Sequence, residues 1–167
     1  MTTVDVDLDL DLDVDVDVDL RDGESLMTSS EELAYRQITK HMMDGDKVSS
    51  TAFGPASIDK DMPSFSRSEA VTAQEARDWH NQNARSASLG VWAVSVDEVF
   101  QAGRYVVDDA NAPLEVGEIR SPGHCFVDFR GLSRFEKKDV RGKLYLSAMD
   151  RREIPTEMPV TGDLLFE

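Results

Sequence analysis

The strict alternation of aspartate with Val or Leu near the N-terminus constrains the fold more than any other feature of the sequence. Residues 4–20 read VDVDLDLDLDVDVDVDL. A helix is disfavoured, because a period of two spreads the carboxylates around its surface and because Asp and Val are poor helix formers. In an extended chain the carboxylates share one face at a spacing of about 6.6 Å, and the apolar side chains share the other. The segment is therefore predicted to be either a strand or disordered.

This acidic repeat has several interpretations. Neighbouring like charges repel and a lone strand cannot bury its apolar face, which favours a disordered, solvated tail. A second interpretation is genetic. Asp-Val and Asp-Leu can be encoded by nearly identical six-nucleotide units, and expansion of such units by slippage would produce the same pattern without any function. The functional interpretations are binding in a basic groove of a protein partner and addition of a strand to an exposed sheet edge. The candidate partner-binding residues are Asp5, Asp7, Asp9, Asp11, Asp13, Asp15, Asp17 and Asp19. A calcium loop is not predicted, because an EF-hand needs Gly at its sixth position and Glu at its twelfth.

The negative charge is concentrated at the N-terminus. The chain of 167 residues has a formal charge of -15, and residues 1–24 carry -9 of it with nine Asp, one Glu and one Arg. The rest is only mildly acidic and offers no broad basic patch, so direct nucleic-acid binding is not expected. The length suits one domain. We predict an acidic tail and linker in residues 1–30, a single α+β domain in 31–150 and an irregular C-terminal tail in 151–167.

Cysteine content and hydropathy indicate the compartment. Cys125 is the only cysteine, which fits a reducing cytoplasm and a buried structural thiol. No apolar run approaches the roughly 18 residues of a membrane span, and the N-terminus lacks the features of a secretion signal. His41, His80 and His124 lack the paired spacing of metal ligands. The sequence thus predicts a cytoplasmic protein without a metal, a cofactor or a membrane partner, and leaves its oligomeric state open.

Periodicity and capping patterns predict a mixed secondary structure. The predicted strands are 33–38, 47–53, 90–96, 104–107 and 124–129, and the predicted helices are 73–84, 97–102 and 134–149. Residues 33–43 also allow a helix, and Ser29 with Glu32 has capping-box spacing. Strand 90–96 is apolar on both faces, which predicts a central position in the sheet. Residues 21–30 and 54–67 are predicted to be a linker and a long loop. The expected fold class is α+β, with a small mixed or antiparallel sheet and two or three helices.

Two groups of residues are candidates for chemistry. His124 and Asp128 share one face of a predicted strand, and a histidine with a nearby carboxylate can act in acid–base catalysis, although residues four apart on a strand are about 13 Å apart. Small hydroxyls beside an arginine can form a pocket for an anion or a nucleotide. The ligand-pocket candidates are Arg36, Ser50, Asp59, Ser66, Arg67, His124 and Asp128. A satisfied histidine and ordinary strand-edge hydroxyls are the structural alternatives.

Several short motifs resemble those of known families. YRQI at 35–38, SSTAFGP at 49–55, GVW at 90–92 and GH at 123–124 resemble signatures of small uncharacterised bacterial proteins, and this resemblance implies a bacterial or phage origin. Arg36, the run Ser49–Thr51 and the pair Glu115 and Glu118 are also similar to the arginine, STS and ExE motifs of arginine-class ADP-ribosyltransferases. That similarity implies NAD binding and ADP-ribosyl transfer.

Two functions from different classes are compatible with these patterns. The first is a cytoplasmic interaction or accessory protein that binds a protein partner and uses the acidic repeat as an electrostatic or strand-adding extension. The second is a small nucleotide- or NAD-binding enzyme, so enzymatic activity is an open question at the level of the sequence. An enzyme is favoured if the fold brings Arg36, Ser50, Asp59 and His124 around one pocket, and partner binding is favoured if they are scattered.

Overall fold

The computed structural model describes residues 19–157. The acidic repeat, apart from Asp19 and Leu20, therefore lies outside the described residues, together with the end of the C-terminal tail. The described strands are β1 (Ser25–Leu26), β2 (Leu33–Ile38), β3 (Met43–Asp44), β4 (Lys47–Val48), β5 (Ser64–Arg67), β6 (Gly90–Ser95), β7 (Val106–Asp108) and β8 (His124–Val127). The helices are α1 (Ala73–Asn83), α2 (Val96–Gln101) and α3 (Arg134–Arg151), and the short 3-10 helices are Lys40–Met42 and Ser57–Asp59.

Within the described chain, six strands form one sheet in the order β1-β7-β8-β5-β2-β6, and β3 and β4 form a separate hairpin. All neighbouring strands of the sheet are antiparallel. The fold is α+β, which confirms the predicted class. Among these residues no helix is long and apolar enough to cross a membrane.

The sheet separates a hydrophobic core from a face that carries cavities. Ala34 and Ile38 point to the core, where Leu144 and Ala148 of α3 pack against the sheet. Side chains alternate along a strand, so Tyr35 and Gln37 point to the opposite face. There they line a cavity together with side chains of α1.

Each α-helix begins at a reciprocal capping box. Thr72 with Glu75, Ser95 with Glu98 and Ser133 with Glu136 each exchange side-chain and backbone hydrogen bonds. Such boxes satisfy amide groups that the first helical turn leaves free. Ser29 and Glu32 have the same spacing but cap no helix. Glu32 instead accepts hydrogen bonds from Arg67, because the following residues form β2.

The middle of the chain differs from the sequence-based prediction. The predicted strand 47–53 ends at Val48, and residues 50–53 form turns. Conversely, the predicted loop 54–67 contains β5, which pairs with both β2 and β8. The wrong assignment has a physical cause, since four residues that follow a proline are too few to show a clear period.

The edges of the sheet also differ from the prediction. β6 was predicted to be central, yet it lies at one edge and pairs only with β2. It is buried because helices contact it and because Ile154 N donates a hydrogen bond to Val91 O at 2.8 Å on its outer edge. At the other edge, the predicted linker 21–30 contains β1, and Met27 is only 4 % exposed. Short segments of both predicted tails therefore complete the folded unit.

Candidate functional site

A hydrogen-bonded chain of three side chains, Ser64, His124 and Asp109, lies on the face that carries the cavities. His124 Nε2 lies 3.0 Å from Ser64 Oγ, and His124 Nδ1 lies 2.7 Å from Asp109 Oδ1. A carboxylate only accepts hydrogen bonds, so Nδ1 must carry the proton that it shares with Asp109. In the neutral imidazole Nε2 is then free to accept the hydroxyl proton of Ser64. We call these three residues the triad.

Strand register explains why residues far apart in sequence meet here. His124 begins β8 and lies directly opposite Ser66 of β5. Ser64 is two residues away on the same face of β5, which is within diagonal reach of an imidazole. On the other side, Asp108 of β7 pairs with Cys125, so the next residue, Asp109, comes alongside His124.

Arg36 supports the strand that carries Ser64. Its guanidinium donates hydrogen bonds to the carbonyls of Ser64 (2.8 Å), Ala52 (3.0 Å) and Gly54 (3.3 Å), and it lies 5.2 Å from the centre of the Phe65 ring. Burial lowers the pKa of Arg36 to about 10, against the opposing charge of Asp59. Arg36 therefore stays charged at neutral pH, but three of its N–H groups bind backbone carbonyls and the residue is 5 % exposed, so it offers an anion little contact.

Arg120 supports the segment that carries Asp109. Its guanidinium donates hydrogen bonds to the carbonyls of Ala110 (3.1 Å) and Ala112 (2.8 Å). Its Nε lies 4.0 Å from Asp109 Oδ1. The cation thereby fixes the turn after β7 and adds a favourable charge beside the carboxylate that orients His124.

Two cavities adjoin the triad among the described residues. Chamber 1 has a volume of about 310 Å³ and chamber 2 of about 370 Å³, and Ser64, Ile119 and His124 line both. The other residues of chamber 1 are Tyr35, Arg36, Gln37, Thr39, Met42, Phe65, Ser66, Ala76, Trp79, His80 and Ser121. The other residues of chamber 2 are Arg21, Ile58, Asp59, Lys60, Met62, Asp109, Ala112, Pro113, Leu114, Glu115, Glu118, Arg120 and Phe126. The bond between Ser64 and His124 thus lies where the two chambers meet.

The predicted ligand-pocket residues are only partly brought together. Arg36, Ser66 and His124 line chamber 1, and Asp59 lines chamber 2. Ser50 lines neither chamber, so the predicted group does not surround one pocket. The residues similar to the transferase motif are also divided: Arg36 lines chamber 1, Glu115 and Glu118 line chamber 2, and the run Ser49–Thr51 lines neither.

Two of the predicted pocket residues serve the structure instead. Arg67 forms ion pairs with Glu32 (2.8 Å) and Asp108 (2.6 Å), and the hydrogen bond to Glu32 is the main cause that raises the pKa of Arg67. Asp128 is 5 % exposed and binds Arg130 at 2.9 Å. The carboxylate that pairs with His124 is therefore Asp109 rather than Asp128.

Sequence reasoning identified His124 but missed Ser64 and Asp109. No short motif joins these positions, because strand pairing brings them together across 60 and 15 residues. The one available signal was that PSFSR places Ser64 and Ser66 on one face of a possible strand. Cys125 is fully buried, as predicted, and burial raises the pKa of its thiol.

The triad has the arrangement needed to activate a serine hydroxyl. Serine nucleophiles generally have a base within hydrogen-bonding distance of the hydroxyl, and a carboxylate orients that base.

Within residues 19–157 no cluster of three or more His, Cys, Asp or Glu side chains forms a metal site. Comparison of the chain with protein-family models, curated proteins and solved structures found no match.

Proposed function

We propose that this protein is a small hydrolase that cleaves an ester through Ser64. The observation that carries the proposal is the continuous hydrogen-bonded chain from Ser64 Oγ through His124 to Asp109. Ser64 is also exposed to solvent, which a nucleophile requires to reach its substrate. It lines both chambers. A histidine that only needed its two nitrogens satisfied would not require an exposed hydroxyl between two cavities.

The proposed reaction has two steps. In the first, Ser64 Oγ attacks the ester carbon while His124 Nε2 takes the hydroxyl proton, and the ester C–O bond then breaks as the imidazolium returns that proton to the leaving alcohol. In the second, His124 takes a proton from water, and the resulting hydroxide attacks the acyl-serine. The bond between the acyl carbon and Ser64 Oγ then breaks as the imidazolium returns its proton to Oγ, and the acid is released. Asp109 holds the Nδ1–H throughout and stabilises the imidazolium.

Covalent labelling and hydrolysis of a small ester test the proposal together. We expect a fluorophosphonate probe to add to Ser64, as located by mass spectrometry of peptides. We also expect measurable release of acid from methyl acetate. Ser64→Ala should remove labelling and lower the rate by about a thousandfold or more.

Ser50→Ala is the matched control, because Ser50 is exposed and lines neither chamber. This variant should label and hydrolyse as the unchanged protein does. Persistent hydrolysis in folded Ser64→Ala, or labelling at another serine only, would refute the proposed nucleophile.

Partner binding is a second proposed function, and the segment 110–121 provides the observation that favours it. Leu114, Val116 and Ile119 are exposed there, and exposed Ile58 lines chamber 2 beside Leu114 and Ile119. Grouped exposed apolar side chains often mark interaction sites. We propose that these residues, with the acidic repeat, bind a protein partner with a basic surface in a bacterial or phage-infected cytoplasm.

A crosslinking comparison tests this second function. Leu114→Ser with Ile119→Ser should abolish a specific crosslinked complex that the unchanged protein forms in extracts of the source cells. Leu146→Ser is a matched control, because Leu146 is an exposed leucine on α3. A complex that survives the double substitution would contradict the proposed surface.

A further inference from the structure

Chamber 1 presents aromatic rings to the triad. Trp79 and His80 of α1 and Tyr35 of β2 line it, together with the apolar side chains of Met42 and Ile119. Trp79 and Tyr35 are half-buried, so parts of their rings are open to an occupant. Aromatic side chains bind flat rings by stacked or edge-to-face contacts. The volume of about 310 Å³ is near the lower limit of ligand pockets, at about 300 Å³, and suits a compact group.

The polar groups of chamber 1 offer a ligand little contact with charge. The Arg36 guanidinium is bound to three backbone carbonyls. His80 lies 2.7 Å from the Ser86 carbonyl, and burial lowers its pKa more than this hydrogen bond raises it. Burial also raises the pKa of the Tyr35 hydroxyl, so both side chains are neutral at pH 7. Arg36 is only 5 % exposed, so a charged ligand group would lose its hydration here and gain little contact with the guanidinium.

Chamber 2 has the opposite character. Arg21, Lys60 and Arg120 line it together with the carboxylates of Asp59, Glu115 and Glu118. Charges of both signs can bind polar groups and keep water around them, and they disfavour burial of an unsubstituted ring. The two sides of Ser64 therefore differ in the chemistry that they accept.

We propose that the substrate is an ester that joins an uncharged, planar aromatic group to a polar group, with the ring in chamber 1 and the polar part in chamber 2. This inference rests on the proposed hydrolase function, because it places the ester carbon at Ser64. Trp79 is the residue that selects the ring. The ring belongs to either the acid or the alcohol of the ester.

Matched esters test the preference for a ring. We expect methyl phenylacetate to have a kcat/KM about tenfold above methyl cyclohexylacetate, or benzyl acetate to exceed cyclohexylmethyl acetate by the same factor, since ring contacts give about this gain. Methyl acetate has no ring and reports on Ser64 chemistry alone. Equal rates for the flat and saturated members of both pairs would overturn the inference.

Binding without catalysis separates this inference from the proposed function. In Ser64→Ala, calorimetry with phenylacetamide and benzyl alcohol should detect binding, and Trp79→Leu should raise the Kd about tenfold, whereas Trp79→Phe should largely retain it. Trp92→Leu is the matched control, because Trp92 lines neither chamber. If Ser64→Ala binds neither ring compound although the unchanged protein hydrolyses methyl acetate, the aromatic inference alone is refuted. Ring binding without labelling of Ser64 refutes the hydrolase alone.

Discussion

His124 has two ring nitrogens, and its two partners have different roles. Asp109 Oδ1 can only accept, so it fixes the tautomer and the plane of the ring. Ser64 Oγ can give up a proton, so it is the partner whose chemistry the ring can change. The distances, 2.7 Å to Asp109 and 3.0 Å to Ser64, fit a firmly held base next to a hydroxyl that must be free to move. The proton that moves during catalysis is therefore the one between Ser64 Oγ and His124 Nε2, and the proton on Nδ1 stays beside Asp109.

The carboxylate of Asp109 provides the first prediction. Asp109→Asn should lower kcat for methyl acetate by about a thousandfold to ten-thousandfold, because an amide at this position favours the wrong tautomer of His124. KM should change little, since the small substrate does not need Asp109 for binding. The measurement is steady-state hydrolysis by the folded variant.

Asp128→Asn is the informative control for that prediction. Asp128 Oδ1 accepts hydrogen bonds from the backbone N and the Nε of Arg130, both at 2.9 Å, and Asp128 has no hydrogen bond to the triad. We expect a loss of about 2 kcal/mol in unfolding free energy and an unchanged kcat. The prediction would be contradicted if Asp128→Asn, rather than Asp109→Asn, lowered kcat.

At the scale of elements, two of the three capping boxes recognised in the sequence begin helices, and the third, Ser29 with Glu32, precedes β2 instead. The boxes at Thr72 and Ser133 correctly predict where α1 and α3 begin, because the reciprocal hydrogen bonds of a box involve only four consecutive residues. β2, β6 and β8 were also predicted from alternation or apolar runs, with β6 predicted one residue longer and β8 two residues longer than they are. β5 was not, since its four residues carry too little pattern and its strand character comes from neighbours on both sides.

The candidate site shows the same limit. His124 was identified because it begins a recognisable strand, whereas Ser64 and Asp109 lie in segments that read as loops. Their positions depend on the order β7-β8-β5, and no short motif in the sequence indicates which strands pair. The buried role of Arg36 could not be predicted for a related reason, because its acceptors are carbonyls, which every residue has.

Helix α3 provides a prediction about stability. Gly142 lies in its interior, and an added Cβ would have nothing within 4 Å. Gly142→Ala should therefore raise the unfolding free energy by about 1 kcal/mol, through helix propensity alone. Urea denaturation followed by circular dichroism measures this change.

Gly103 is the matched glycine for this experiment. It also has open space around an added Cβ, but its φ is +89°, which L-residues disfavour. Gly103→Ala should lower stability by about 1–2 kcal/mol. If both substitutions changed stability in the same direction, the explanation from backbone conformation would be wrong.

At the scale of the whole molecule, a buried carboxylate joins the N-terminal strand to the rest of the fold. Glu24 accepts hydrogen bonds from the Arg21 backbone at 2.9 Å and from Arg130 at 3.1 Å. Burial by itself raises the pKa of Glu24, but these bonds and that from the Arg21 side chain together bring the pKa below its ordinary 4.5. The ionised form is therefore favoured in the folded state.

This lowered pKa predicts the acid sensitivity of the fold. A group whose pKa is lower in the folded state contributes stability above its unfolded pKa and loses it as the pH falls through the folded value. We expect the unfolding free energy to decline from about pH 5 downward, and Glu24→Gln to make that decline shallower. Glu31→Gln, at an exposed position, should leave the pH profile unchanged. Parallel profiles for all three proteins would contradict the role of Glu24.

The contacts of Glu24 and β1 determine which N-terminal deletion leaves the fold intact. Deletion of residues 1–18 takes away seven aspartates and no basic residue, which changes the formal charge from -15 to -8. Deletion of residues 1–30 also removes Glu24, β1 and the buried side chain of Met27. We expect the longer deletion to be less stable than the shorter one by about 3 kcal/mol or more, because loss of a buried Met side chain alone costs about 2–5 kcal/mol.

The shorter deletion then tests the acidic repeat without removing β1. If the repeat attracts a basic partner, removal of seven charges should weaken the crosslinked complex and flatten the dependence of its affinity on salt, because screening acts on the charges that remain. Hydrolysis of methyl acetate should not change, since that substrate is uncharged and the deletion removes no residue of the triad. An unchanged salt dependence would assign the interaction to the exposed apolar side chains near chamber 2. A changed hydrolysis rate would instead connect the repeat to the site at Ser64.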